Sequence, residues 1–324
     1  MSNVANITIH ASQFPENVRR DLLASLRTRR VNHKFHYGSI KQTQKWLALH
    51  QAYSPTRNDA DCRVIYEKSF AAAAAQIKSR RIHVIGLGCG GGQKDTRLLK
   101  WLKHCGKEVF YTPCDVSVAM VLTARQAALA VVPEGNCFPF VCDLATADDL
   151  RKFLVTRPPS LITFFGMIPN FEPRQILPKL ASLVRPGEFL LFSANLAPGK
   201  DYAAGMKKIL PQYDNPLTRD WLMTCLLDPG VERNDGKLLF KIEDNKTAGL
   251  KRIVAEFRFT RARQIEVENE VFNFPVGESV RLFFSYRYTP ERVRAVLNRH
   301  GLNVCQQWIT KSEEEGVFLC RKRQ

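Results

Sequence analysis

The chain lacks any uninterrupted apolar run of 18 or more residues, so nothing in it reads as a membrane-spanning helix. Paired cysteines are also missing. Nine cysteines occur singly, at 62, 89, 105, 114, 137, 142, 225, 305 and 320, and none forms a Cys-x-x-Cys pair. That pattern argues against a zinc centre or a disulfide framework and for reduced thiols in the core. The start, Met1-Ser-Asn-Val-Ala-Asn6, has no basic stretch leading into an apolar one. No secretory signal is therefore read, and a cytoplasmic location is expected. Acidic residues are the scarce charge, 31 against 48 Lys and Arg, for a net charge of +17. The excess is marked in residues 1–58, where nine basic residues face two acidic ones. Such a balance admits nucleic acid, an anionic surface or acidic substrates as partners. The basic residues are nevertheless dispersed, with no Arg-Gly repeat and no long basic run, so nucleic acid is not favoured.

The most informative stretch is Ile82-His-Val-Ile-Gly86-Leu-Gly88-Cys89-Gly90-Gly-Gly92-Gln-Lys94. An apolar run ends in closely spaced glycines, and an amphipathic pattern follows at Leu98, Leu99 and Leu102. A second apolar run, Val109-Phe-Tyr111, then leads to Asp115. Strand, glycine loop, helix, strand and acid is the order of a nucleotide-binding α/β half. The glycines let backbone approach a ligand, and the acid can accept hydrogen bonds from ribose hydroxyls. The spacing is Gly-x-Gly-x-Gly without a further spaced third glycine, and Asp115 lies 27 residues beyond Gly88. Both features point to S-adenosylmethionine rather than to a dinucleotide. Cys89 fits there as a small side chain in a crowded turn or as a reactive thiol.

Around this stretch, the periodicity predicts helices over 15–31 and 39–52, a turn at Pro55-Thr-Arg57-Asn, and a third helix containing Ala71–Ala75. Strands are predicted at 82–86, 108–112, 137–142, 160–165 and 188–193, with helices at 94–104, 118–131, 146–155 and 173–184. This alternation predicts a parallel sheet covered on both faces. After Leu196 come helices at 201–210 and 216–228 and strands at 238–243, 250–260 and 264–274. The end reads as strand, helix (290–300) and strands at 303–309 and 316–321. A cofactor domain over 59–197 and 284–324 is expected, with a smaller domain built from 1–58 and an insert at 198–283. Ligands in open α/β sheets bind outside the carboxyl ends of the strands, which singles out Asp143 and, in Phe165-Gly166-Met-Ile-Pro-Asn170, Asn170.

On these residues the chain resembles the S-adenosylmethionine-dependent amino-acid Nα-methyltransferases, typified by the histidine enzyme of ergothioneine biosynthesis. That family's aromatic-Tyr and Tyr-Tyr-Pro-Thr-Arg motifs read here as Phe35-His-Tyr37 and Tyr53-Ser-Pro-Thr-Arg57. Its Glu-Leu-Gly-x-Gly…Lys-Thr-Arg loop reads as Gly86-Leu-Gly88-Cys-Gly90…Lys94-Asp-Thr-Arg97, and its Asp-Val as Asp115-Val116. Its Phe-Leu-Gly…Gly-Asn, Tyr-Asp-Asp and Gly-Glu…Ser-x-Lys motifs read as Phe165-Gly166…Asn170, Tyr213-Asp-Asn215 and Gly277-Glu278…Ser285-Tyr-Arg287-Tyr288. The resemblance implies an α/β fold: a Rossmann-like class I methyltransferase sheet with a second, smaller α+β substrate domain.

It further implies that Gly86, Gly88, Gly90, Lys94, Asp115 and Asp143 hold S-adenosylmethionine. Tyr37, Asn170 and Tyr213 would carry catalysis by holding the α-amine and carboxylate of an amino acid, with Tyr53 flanking the pocket. Methyl transfer needs positioning and no catalytic metal. Two departures stand out. Gly86 replaces the acid two before Gly88, which is expected to loosen contacts to the cofactor. Phe283 stands where the histidine enzyme has a Glu for the imidazole, although Ser285 remains, and Phe257 corresponds to a pocket Met. A phenyl ring cannot accept an imidazole N–H, so instead of histidine a small-molecule substrate with an apolar or aromatic side chain is expected, or a smaller one if the two aromatics fill the pocket. The alternatives are a nucleic-acid or protein methyltransferase on the same fold, or an inactive binding module. The lack of an Asn/Asp-Pro-Pro-Tyr motif after the fourth strand counts against base methylation. The sequence fixes no oligomeric state.

Overall fold

The computed structural model describes residues 4–54, 59–154 and 158–323. The turn expected at 55–58 lies outside them. The strands, in chain order, are β1 (Thr8–Ile9), β2 (Arg81–Leu87), β3 (Glu108–Asp115), β4 (Phe140–Val141), β5 (Ser160–Phe164), β6 (Phe189–Asn195), β7 (Gly236–Asn245), β8 (Leu250–Phe259), β9 (Arg263–Val267), β10 (Glu270–Phe274), β11 (Ser279–Arg287), β12 (Leu302–Ile309) and β13 (Glu315–Lys322). The chain divides into two compact units. The larger takes the described residues of 1–13, 55–196 and 288–324, the smaller 14–54 and 197–287.

The larger unit is built on one sheet in the order β1-β4-β3-β2-β5-β6-β13-β12. The strands from β1 to β6 pair in parallel, while β13 runs antiparallel to both β6 and β12. The sheet's inner strands are buried on both faces, which is why they read as continuous apolar runs rather than alternating ones. Helix Ala60–Gln76 packs Cys62, Tyr66 and Phe70 into a core with Leu98, Leu99 and Leu102 of helix Gln93–His104 and with Tyr111, Leu191 and Leu319 of the sheet. Six cysteines are buried, whereas Cys105 and Cys305 are exposed.

In the smaller unit, a three-stranded antiparallel sheet ordered β11-β8-β7 accompanies the two-stranded β10-β9. Helix Pro15–Thr28 starts on Pro15, whose fixed φ suits a first helical position. Ser39 and Gln42 form a reciprocal capping box at the start of helix Ile40–Tyr53. Helix Pro216–Leu227 supplies Trp221, Leu222 and Leu226 to a core with Phe257, Phe259, Phe272, Phe274 and Phe283. Among the described residues, no helix is long and apolar enough to cross a membrane.

Three local expectations are corrected. Residues 264–274 form a hairpin rather than one strand, because Glu268 and Asn269 adopt positive φ angles (54° and 65°) and reverse the chain. The helix expected over 146–155 is described only from Leu150 to Leu154. Residues before Phe14 do not group with the smaller unit, since Thr8 and Ile9 add an edge strand beside Phe140 and Val141.

The glycine loop enters helix Gln93–His104 through Gly92, at φ +73°. A Cβ there would lie 2.7 Å from the Ala124 Cα, so the approach of the two helices requires glycine. Gly92→Ala should therefore lower stability by about 1–3 kcal/mol, combining left-handed strain with overpacking. A thermal melt unchanged from wild type would contradict this.

Candidate functional site

In the larger unit, the carboxyl ends of β2, β3, β4 and β5 bring Gly86–Gly92, Asp115, Asp143 and Asn170 to one end of the sheet. Asp115 closes β3, and its carboxylate accepts hydrogen bonds from the Gly90 amide at 3.0 Å and the Ser117 amide at 3.1 Å. The loop amide and the acid thus fix each other. Asp143 follows β4; its carboxylate accepts from the Ala145 amide at 2.8 Å and its own amide donates to Ser12 Oγ at 2.9 Å. Asn170 ends the short turn Ile168–Asn170 after β5. The Met167 side chain lies against Gly88, so that a Cβ there would sit 2.5 Å from its Cγ. Gly88 itself has φ +66°.

Two expected cofactor residues are engaged in ways the sequence did not indicate. Lys94 donates to the Tyr66 hydroxyl at 2.8 Å and lies 3.5 Å from Glu315. Tyr66 in turn donates to Glu315 and lies 2.9 Å from Ser193 Oγ, which accepts the Gly166 amide. Gly86 has no open space above it. A Cβ at Gly86 would lie 2.1 Å from Asp95 Oδ2. Asp95, in the first turn of Gln93–His104, is 3% exposed and accepts from Tyr111 Oη and Thr163 Oγ1, both at 2.8 Å.

The smaller unit holds the expected substrate residues other than Asn170. Tyr213 and Ser285 share a hydrogen bond at 2.7 Å, and the buried Arg287 donates to Tyr213 Oη from Nε (3.2 Å) and Nη2 (3.0 Å). Phe283 lies with its ring centroid 5.8 Å from that of Trp221 and 6.3 Å from that of Tyr213. Tyr37 lies 5.6 Å from Trp221 by the same measure. The ladder between β11 and β8 shifts between Arg281 and Phe283, leaving Leu282 without an opposite residue. His36 Nε2 donates to the Leu282 carbonyl at 2.6 Å, and Trp221 Nε1 donates to the His36 carbonyl at 2.9 Å. This pairing satisfies the bulge and holds Phe283 in place. Phe257 is fully buried and packs edge-on to Phe259, so it serves the core. Tyr53 is exposed on the last turn of its helix, and the rest of its motif, Pro55–Arg57, lies outside the described residues.

A profile of the histidine-specific, S-adenosylmethionine-dependent methyltransferases matches residues 18–322. The chain belongs to that family. No curated protein matches the sequence. Among solved structures, it is similar to an S-adenosylmethionine-dependent methyltransferase from Clostridium acetobutylicum, at 13% identity and TM-score 0.47, over 87% of this chain and 99% of that one. It is also similar to the magnesium protoporphyrin IX methyltransferase of Synechocystis with bound S-adenosylhomocysteine, at 14% identity and TM-score 0.46, over 88% and 95% of the two chains.

This methyltransferase has the donor set that an adenosyl cofactor needs. Asp115 is anchored by two amides and keeps acceptor capacity for a diol, since a carboxylate has about four lone-pair sites. Gly88, Gly90 and Gly92 all have positive φ, which sets the loop backbone in a close turn. Gly88, Gly90, Asp115 and Asp143 would therefore hold S-adenosylmethionine. Burial, together with the nearby Asp115 and Asp95 carboxylates, raises the Cys89 pKa well above its usual value. That direction favours the neutral thiol over the reactive thiolate. His36 is kept neutral by burial, its pKa lowered to about 4 despite the Leu282 hydrogen bond.

Sequence reasoning missed Asp95, Arg287, His36 and Trp221. Asp95, His36 and Arg287 all stood inside quoted motifs, but their partners are distant in sequence, so no role was read for them.

Burial pushes the Asp95 carboxyl from 3.8 up to about 6, against the lowering effect of the Thr163 and Tyr111 hydroxyls and the Lys94 charge. A folded pKa above the unfolded one means the native state binds this proton more tightly. Its stabilising contribution is present below the unfolded pKa and is lost as pH rises through about 6. Comparing wild type with Asp95→Asn from pH 8 to pH 5, the stability difference should shift in favour of wild type as pH falls. A difference independent of pH would contradict the buried, titrating carboxylate.

Proposed function

We propose that this methyltransferase acts on the α-amine of an amino acid, or of a close small-molecule derivative, other than histidine. The observation that carries the reading is the Tyr213–Ser285–Arg287 hydrogen-bonded group with Phe283 beside it. Two hydroxyls backed by a guanidinium suit a carboxylate, and the neighbouring aromatic ring suits an apolar or aromatic side chain. Arg287 donates to Tyr213 Oη, which favours the tyrosine proton being offered elsewhere.

Bound S-adenosylmethionine would supply an electrophilic methyl group for in-line displacement by a neutral amine. The protein's part is positioning. Asn170 offers an amide oxygen that accepts from the amine and so orients its lone pair. Tyr213 and Ser285 would fix the carboxylate. Phe283 gives no acceptor for an imidazole N–H, and a polar group buried there without a partner loses about 1–3 kcal/mol. The net charge of +17 favours a nucleic-acid substrate as the second reading. Its mark would be salt-sensitive binding of RNA or DNA.

Asn170→Ala should reduce methyl transfer by roughly 100-fold, the order expected from losing substrate alignment, with cofactor affinity unchanged. Turnover equal to wild type would remove Asn170 from the site. Phe283→Glu should bring histidine into the range of accepted substrates, measured by product mass; no gain in a folded variant would argue against Phe283 as the selecting residue.

A further inference from the structure

Asp95 is a buried carboxylate with no ion-pair partner among the described residues. It accepts hydrogen bonds only from two neutral hydroxyls, Tyr111 Oη and Thr163 Oγ1. The nearby cation, Lys94, is already committed to Tyr66 and Glu315. A buried charge held this way is costly unless a cation is brought to it. The cofactor is such a cation, with a sulfonium and an ammonium group. Asp95 also lies directly over a strand end where an acid is missing. Its Oδ2 occupies the place of a Cβ on Gly86, at 2.1 Å, and Tyr111 Oη lies 3.2 Å from that same point. Any side chain on Gly86 would expel it. The loop run here is Lys94-Asp95-Thr96-Arg97, so the chain gains an acid nine residues after the position where it lacks one.

We propose that Asp95 is a positioning residue for the cofactor, supplying from the helix the carboxylate that the end of β2 lacks, and that Gly86 is glycine to admit it. Asp95 bridges Tyr111 on β3 and Thr163 on β5 across β2, where Gly86 pairs with Pro113 and Thr163. It therefore fixes the loop that begins at Gly86 and ends at helix Gln93–His104. Its negative charge in the first turn of a helix is favourable in itself. Loss of the acid at position 86 thus relocates the charge instead of weakening the site.

The test is calorimetric titration of S-adenosylmethionine, and of S-adenosylhomocysteine, which lacks the sulfonium charge, into wild type, Asp95→Asn, Asp95→Ala and the double variant Gly86→Asp/Asp95→Ala, with a thermal melt of each. Asp95→Asn keeps the shape and can still bond both hydroxyls, so a purely structural role leaves its affinity unchanged. The proposal expects Asp95→Asn to fold and to bind S-adenosylmethionine about tenfold or more weakly, as for loss of a charge-assisted contact. It expects the double variant, with the acid returned to the strand, to bind more tightly than Asp95→Ala. Affinity of Asp95→Asn within about twofold of wild type would overturn it, as would a folded double variant that binds no better than Asp95→Ala. If the double variant does not fold, Asp95→Asn alone decides.

Discussion

The Asp95 carboxylate, held between the Tyr111 and Thr163 hydroxyls over the backbone of Gly86, ties the first turn of helix Gln93–His104 to three adjacent strands. The glycine loop takes its path from that attachment. Its far end is set by Gly92 against Ala124, and its middle by the Gly90 amide on Asp115. A Cβ at position 86 would lie 2.1 Å from Asp95 Oδ2, and one at position 92 would lie 2.7 Å from the Ala124 Cα. A loop fixed at both ends and in the middle presents its amides and acids in a set geometry, which suits a reaction whose protein contribution is alignment.

The proposed selectivity rests on a different set of contacts. In the smaller unit, His36 satisfies the carbonyl of the Leu282 bulge, and that bulge brings Phe283 against Trp221 and Tyr213. Tyr213 is held by Ser285 and Arg287. Two hydroxyl groups and a phenyl ring are thus neighbours, as the proposed substrate's carboxylate and side chain would require. Gly86 and Phe283 both stand where the resemblance leads to an acid. At Gly86, under the proposal above, Asp95 returns the charge from the helix, whereas Phe283 offers a ring packed against His36, Tyr213 and Trp221.

The parallel sheet was legible because its strands are buried on both faces and read as apolar runs, and because glycines marked the turn after β2. The Asp115 position followed from strand order alone. The β9–β10 reversal was not legible, since Glu268 and Asn269 take positive φ without a glycine to announce it. Edge strand β1 has two residues and no pattern of its own; it forms because Phe140 and Val141 offer a free edge. Asp95 and Lys94 show the deeper limit. One reads as a helix acid and the other as a cofactor lysine, yet their partners, Thr163 and Glu315, lie 68 and more than 200 residues away.

The reaction proposed for this protein is methyl transfer from S-adenosylmethionine to an amino acid that is not histidine. It is tested most directly by incubating the protein with methyl-labelled cofactor and each amino acid in turn, and reading the products by mass. The account predicts label on the α-nitrogen of an amino acid with an apolar or aromatic side chain, and none on histidine. Histidine as the preferred acceptor would contradict it, as would label on RNA or protein with no amino acid modified.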